Sequence, residues 1–209
     1  MAIDKLLIVE DKPEFLENAR RGLENQGINI YTAYSLENAE PLFNVLKRAG
    51  NSGLITDLYY SGGFENPRIE ECRQLYEEIR EFHQMNQEAR EIMKIRLDSL
   101  PEPEPDSDYG PLGVLIAKEA SEAGMPYTII TDPGHARNVI PVLVTKGFLD
   151  KEELYQMFRQ WTADIKEEGG YERKGKDPLV SVNGNVHFSS CVKRPEEWLA
   201  AYKRIASRL

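Results

Sequence analysis

Five residues stand where short apolar runs end, and their types suit phosphoryl chemistry. Glu10 and Asp11 follow Leu6-Leu7-Ile8-Val9, Asp57 follows Leu54-Ile55-Thr56, Thr131 follows Ile129-Ile130, and Lys146 follows Val142-Leu143-Val144-Thr145. Carboxylate oxygens are the hard donors that Mg²⁺ takes, and this ion needs only a few because it keeps several waters. A carboxylate beside such an ion can attack a phosphoryl group and form an acyl phosphate. The charge on the transferred oxygens then needs neutralising, by the metal on one side and by an ammonium such as Lys146 on the other. A hydroxyl at Thr131 can donate to a phosphoryl oxygen and move toward it. Each residue also has a plainer reading. Glu10-Asp11 suits a solvated loop, Asp57 a helix N-cap, Thr131 an ordinary strand position and Lys146 an ordinary surface position.

The elements that must hold these residues alternate. Lys5 to Val9 reads as a strand buried on both faces. Residues 13 to 25 carry a helical stripe of Phe15, Ala19 and Leu23, with Gly27 as the stop. Ile28 to Ala33 reads as a second strand. Ser35 can cap a second helix with Ala39, Leu42, Val45 and Leu46 on its inner face, and Gly53 to Thr56 is a third strand. This order implies a parallel sheet with right-handed crossovers. The carboxyl ends of its strands, where all five residues fall, are where such sheets bind ligands.

After Ser61-Gly62-Gly63 the rhythm breaks. Residues 66 to 97 repeat apolar groups at three- and four-residue steps, from Ile69, Cys72, Leu75 or Tyr76, Ile79 and Phe82 onward. The spacing predicts one long amphipathic helix or a tight helical hairpin, packing back on the domain or pairing with a second copy as a homodimer. His83 is expected on its surface. The acidic, proline-rich stretch 101 to 106 reads as an extended linker. Helix and strand resume with Gly113 to Ala123 and Tyr127 to Thr131, then a short helix at 134 to 139, a strand at Ile140 to Thr145 and a helix at 150 to 166. Beyond Gly169, Leu179 to Phe188 reads as a hairpin about Asn183-Gly184, and Pro195 to Leu209 as a helix with Trp198, Leu199, Tyr202 and Ile205 on one face. The expected organisation is a domain over 1–166, interrupted by a helical arm and linker at 62–109, and an extension over 167–209.

The 209 residues carry 26 Lys and Arg against 35 Asp and Glu, a net charge of -9. That excludes a basic shell for nucleic acid over the whole chain, although residues 166 to 209, with nine basic against six acidic, are locally positive. Two cysteines, Cys72 and Cys191, supply neither a disulfide framework nor a zinc quartet, and point to a reducing cytoplasm. His187 and Cys191 have no second ligand pair beside them, so zinc is not expected. No stretch approaches the ~20 apolar residues of a membrane span.

The ordered set resembles the receiver domain of two-component response regulators. The matching segments are Leu6 to Asp11, Leu54 to Asp57, Ile129 to Asp132 and Val142 to Phe148, with Gly110 to Ala123 resembling the family's third helix and Leu149 to Phe158 the start of its last. The resemblance implies a flavodoxin-like α/β fold, a five-stranded parallel sheet with helices on both faces. It implies Asp57 as phosphoacceptor, Glu10 and Asp11 as Mg²⁺ ligands beside it, the backbone carbonyl of Tyr59 as a further ligand, Thr131 as the switch hydroxyl and Lys146 as the phosphate-binding lysine. The implied partner is a histidine kinase or phosphotransfer protein, with output through protein contacts and no catalysis beyond the chemistry of its own aspartyl phosphate. The chain departs from the pattern in its long insertion, in the short interval from Thr131 to Lys146, in Gly147 where a proline is typical and in Leu143 where an aromatic residue is frequent. These departures leave two other readings, a receiver-like interaction module that does not use phosphate and a small α/β phosphotransfer enzyme.

Overall fold

The computed structural model describes residues 2–62, 68–85, 87, 91, 109–131, 185–189 and 192–207. In chain order these form β1 (Lys5–Val9), α1 (Pro13–Leu23), β2 (Asn29–Ala33), α2 (Leu36–Ala49), β3 (Ser52–Asp57), β4 (Tyr60–Ser61), α3 (Ile69–Met85), β5 (Tyr109–Gly110), α4 (Leu112–Glu122), β6 (Tyr127–Thr131), β7 (Val186–Phe188) and α5 (Pro195–Ala206). Five strands make one all-parallel sheet in the order β2-β1-β3-β6-β7, an α/β fold of flavodoxin-like type.

The sheet divides the core in two, because successive strand residues point to opposite faces. Leu7, Val9, Leu54 and Ile129 face a cluster with Leu36, Ala39, Phe43 and Leu46 of α2, Cys72, Leu75, Tyr76 and Ile79 of α3, and the buried side of α4. Leu6, Ile8, Ile55 and Ile130 face the other cluster, with Phe15, Leu16, Ala19 and Leu23 of α1 and Trp198, Ala201, Tyr202 and Ile205 of α5. The apolar stripe of α3 therefore packs on the domain. Its His83, expected at the surface, is fully buried, because it lies on the same helical face as Tyr76 and Ile79. In α2 the inner face is turned by one residue from that expected: Phe43 is buried and Val45 is 64% exposed. Ser35 caps this helix, its Oγ accepting from the Asn38 N–H at 3.3 Å.

Two segments interrupt the sheet. The first leaves after β4 and returns through β5, and Tyr60 and Ser61 pair antiparallel with Gly110 and Tyr109. This short ladder closes the insertion on itself and delivers the chain to α4. Arg68 docks the start of α3, reaching Glu71 at 2.7 Å, Glu119 of α4, and Glu40 of α2 at 3.8 Å. The second interruption follows Thr131. The expected helix at 134–139, strand at 140–145 and helix at 150–166 lie outside the described residues, as do the linker at 101–106 and the Asn183-Gly184 turn.

The fifth strand of the described sheet is Val186–Phe188. Its residues, expected as one arm of a hairpin, pair in parallel with Ile129, Ile130 and Thr131. The following helix, expected in a separate extension, is α5 and packs against α1 over the sheet. Burial explains the outcome: Val186 and Trp198 are inaccessible to solvent and fill the two core clusters. Among the described residues no helix is long and apolar enough to cross a membrane.

Two measurements follow from this packing. Gly22 lies where a Cβ would run into the backbone carbonyl of Pro195 at the start of α5. Alanine gains up to about 1 kcal/mol of helix propensity over glycine, but overpacking against backbone costs about 1–3 kcal/mol. Gly22→Ala is therefore expected to lower the stability read by urea denaturation, against the helix scale.

His187 is buried in β7. Burial, with Arg204 adding its positive charge, holds its imidazole down to about 4 from 6.5. Between those values the unfolded chain binds more protons, so this contribution is whole above pH 6.5 and is lost as the pH falls through about 4. Urea titrations should show the wild type losing on the order of 2 kcal/mol more than His187→Gln between about pH 7.5 and about pH 5.

Candidate functional site

Strand register brings the acidic residues together. Val9 of β1 is aligned with Thr56 of β3, so Glu10 and Asp57 lie side by side at the carboxyl ends of neighbouring strands. The chain runs from β1 outward to β2 on one side and then returns to β3 on the other, so these two residues flank the point where strand order reverses. In an open parallel sheet that crevice is the natural ligand site. One carboxylate oxygen from each of Glu10, Asp11 and Asp57 lies within 4.8 Å of the others. Asp57 is aligned with Ile130 of β6, which puts Thr131 one step beyond it on the adjacent strand. Thr131 is 1% exposed, and its carbonyl accepts from the Ser189 N–H at 2.8 Å.

The cation that the described residues bring to this cluster is Lys193. Its Nζ lies 2.5 Å from Glu10 Oε2 and 2.7 Å from Asp57 Oδ2. All three side chains are shielded: Glu10 is inaccessible, Lys193 is 5% exposed and Asp57 14%. The remaining oxygens are held by backbone, with the Lys12 N–H donating to Glu10 Oε1 at 3.2 Å and the Leu58 N–H to Asp57 Oδ1 at 2.7 Å. The ring of Phe15 lies 5.4 Å from the Lys193 ammonium and 5.0 Å from that of Lys12, an apolar wall with a cation-attracting face.

One ammonium does not balance this many carboxylates out of water. Burial and the neighbouring charge of Asp57 push Glu10 up to about 8, against the pull of Lys193. Burial also raises Asp57, opposed by Lys193. For Lys193 burial acts downward, but the charges of Asp57 and Glu10 outweigh it and raise the ammonium. Among the described residues the site is thus an acidic pocket held around the Lys193 ammonium. Asp11 Oδ1 is buried without a hydrogen-bond partner.

Helix α4 approaches this pocket closely. A Cβ at Gly113 would collide with the carbonyl of Asp57, and the Gly113 N–H donates to Leu58 O at 3.1 Å. Glycine is required there because the helix start and the Asp57 backbone share one space.

Of the residues expected from the sequence, the fold groups Glu10, Asp11 and Asp57 and sets Thr131 beside them. Tyr59 lies two residues beyond Asp57, half-buried against the core. Lys146 lies outside the described residues. Lys193 is a site residue outside those expected from the sequence. The available signal is weak: Lys193 stands five residues beyond Phe188 and two before Pro195, a residue suited to open a helix. The strand Val186-His187-Phe188 is only three residues long, includes a histidine and falls in the stretch expected as a hairpin about Asn183-Gly184, so no site residue is expected beyond it. Comparison of the chain with protein-family models, with curated proteins and with solved structures gives no match.

Removing one partner of a buried ion pair leaves an uncompensated charge. Lys193→Met is expected to cost about 3–5 kcal/mol in urea denaturation at neutral pH. Adding Asp57→Asn in that background should recover part of the loss, since it removes one of the stranded carboxylates.

Proposed function

We propose that this chain is a receiver-type phosphoacceptor, in which Asp57 takes a phosphoryl group from a histidine kinase or phosphotransfer protein with Mg²⁺ as cofactor. The observation that carries the reading is the grouping of Glu10, Asp11 and Asp57 at the reversal of strand order, with Lys193 bridging two of them.

The donor set fits the ion. All three ligands are hard oxygens, and Asp11 Oδ1, buried without a partner, is a free donor in the cluster. Glu10, Asp11 and Asp57 would hold it, with the backbone carbonyl of Tyr59 as the further ligand that the resemblance implies. When bound, the ion supplies positive charge against the phosphoryl oxygens.

The chain's own residues do the rest. An oxygen of Asp57 attacks phosphorus, the new P–O bond forms as the bond to the donor's nitrogen breaks, and the donor leaves with its electron pair. Leu58 N–H holds Oδ1 of Asp57 and fixes the carboxylate plane. The Lys193 ammonium, already at Oδ2, is within reach of the incoming phosphoryl charge, the role that the sequence had assigned to Lys146. Thr131 has its hydroxyl-bearing side chain on the next strand, suited to follow the modified group. Phosphorylation replaces the Asp57 carboxylate with a more highly charged group, and so changes the charge that Lys193 and Glu10 face.

Intact mass after incubation with acetyl phosphate and Mg²⁺ tests this directly. The wild type is expected to gain one phosphoryl group and Asp57→Asn none. Equal uptake by Asp57→Asn, or no uptake where a control receiver is labelled, would sink the proposal, the latter in favour of a phosphate-independent interaction module.

A further inference from the structure

Lys193 reaches the acidic pair from a backbone that a lysine rarely adopts. Its φ is +42°, in the left-handed region where an L-residue carries a steric penalty. Such a conformation persists only where its surroundings fix it. Here two side chains from two helices converge on one atom. The indole N–H of Trp198, on α5, donates to the Lys193 carbonyl at 3.0 Å, and the amide of Asn18, on α1, donates to the same oxygen at 3.2 Å and to Val192 O at 3.3 Å. Trp198 is inaccessible to solvent, and Lys193 itself is 4% exposed.

We propose that Asn18 and Trp198 are positioning residues for Lys193, clamping its carbonyl so that its side chain is aimed between Glu10 and Asp57. The proposal rests on the phosphoacceptor reading for its effect on phosphorylation, but its geometry stands without it. A lysine side chain is a flexible four-carbon stem. Fixing both the carbonyl and the φ of its residue removes the freedom at the root of that stem. Neither Asn18 nor Trp198 touches Asp57's partner oxygens; both act through the backbone of Lys193.

The anchoring is mutual. Helix α1 starts two residues after Asp11, so the element that supplies Asn18 continues directly from the acidic pair. Helix α5 starts two residues after Lys193, and its first turn is closed by the Arg194 N–H donating to Glu197 Oε2 at 2.5 Å. Gly22 allows the two helices to meet without a side chain between them. The clamp therefore joins the acidic end of the site to its cationic end.

The test is acetylation of lysines by acetic anhydride, mapped by mass spectrometry, in the wild type, Asn18→Leu and Trp198→Phe. Phenylalanine keeps an aromatic ring in the core and removes the N–H, and leucine matches the shape of asparagine without its donor. Acetylation of Lys193 relative to exposed Lys47 is expected to rise roughly fivefold in each variant, the scale of one lost net hydrogen bond. Unchanged acetylation of Lys193 in variants that still unfold cooperatively would overturn the proposal.

A second readout separates positioning from mere stability. Each variant should slow phosphorylation by acetyl phosphate in the wild-type background but add no further slowing to Lys193→Gln, because it acts through Lys193. Additive slowing would overturn the positioning role. Increased Lys193 acetylation in a protein that takes up no phosphoryl group would support the clamp and leave the phosphoacceptor reading to fall alone.

Discussion

The ammonium of Lys193 between Glu10 and Asp57 is the interaction on which the site depends. It joins residues from opposite ends of the chain across a pocket almost closed to water. Charges in such a place are stable only when paired and hydrogen-bonded. Both carboxylates meet this condition through Lys193 and through backbone N–H groups. The pairing depends on β7 joining the main sheet and α5 packing over it: without them the acidic residues would share a buried crevice with no counter-charge from this lysine.

The helices on one face have a double task. Helix α1 buries Phe15, Leu16, Ala19 and Leu23 against the sheet and presents Asn18 to the loop that carries Lys193. Helix α5 buries Trp198 while its indole nitrogen holds the same loop. Core packing and site geometry are therefore one set of contacts on this face. A change that separates α1 from α5 must loosen the lysine as well as the core.

The other face carries the chain's principal addition among the described residues. The segment between β4 and β5 returns to within one ladder of where it left, and α3 adds Cys72, Leu75, Tyr76 and Ile79 to the core cluster of α2 and α4. Arg68 neutralises carboxylates from three places at this junction. Helix α3 is thus built into the hydrophobic layer behind Asp57, in the segment that follows the residue proposed to take the phosphoryl group. In the receiver reading, a change at Asp57 has the start of α4 as its neighbouring element, through Leu58 and Gly113, and α4 shares its core cluster with α3.

The first three strands, the first two helices and the acidic half of the site are legible from local residue order alone. Leu6 to Val9, Ile30 to Ala33 and Leu54 to Thr56 are continuous runs of apolar, aromatic or β-branched residues, and Ser35 and Gly27 are local signals whose effects are nearly independent of the rest of the fold. Glu10 with Asp11, and Asp57, are legible for the same reason, because they stand where such runs end. The fifth strand of the described sheet is set by long-range contacts. A three-residue strand with a central histidine carries little local preference, and it is selected by pairing with β6 and by the burial of Val186 and Trp198. Tertiary structure also decided the cation, because an ion pair between residues 10 and 193 leaves no periodic trace along the chain. Spacing records what a helix or strand does locally; the meeting of Lys193 with Glu10 and Asp57 exists only once the sheet is closed and water is excluded.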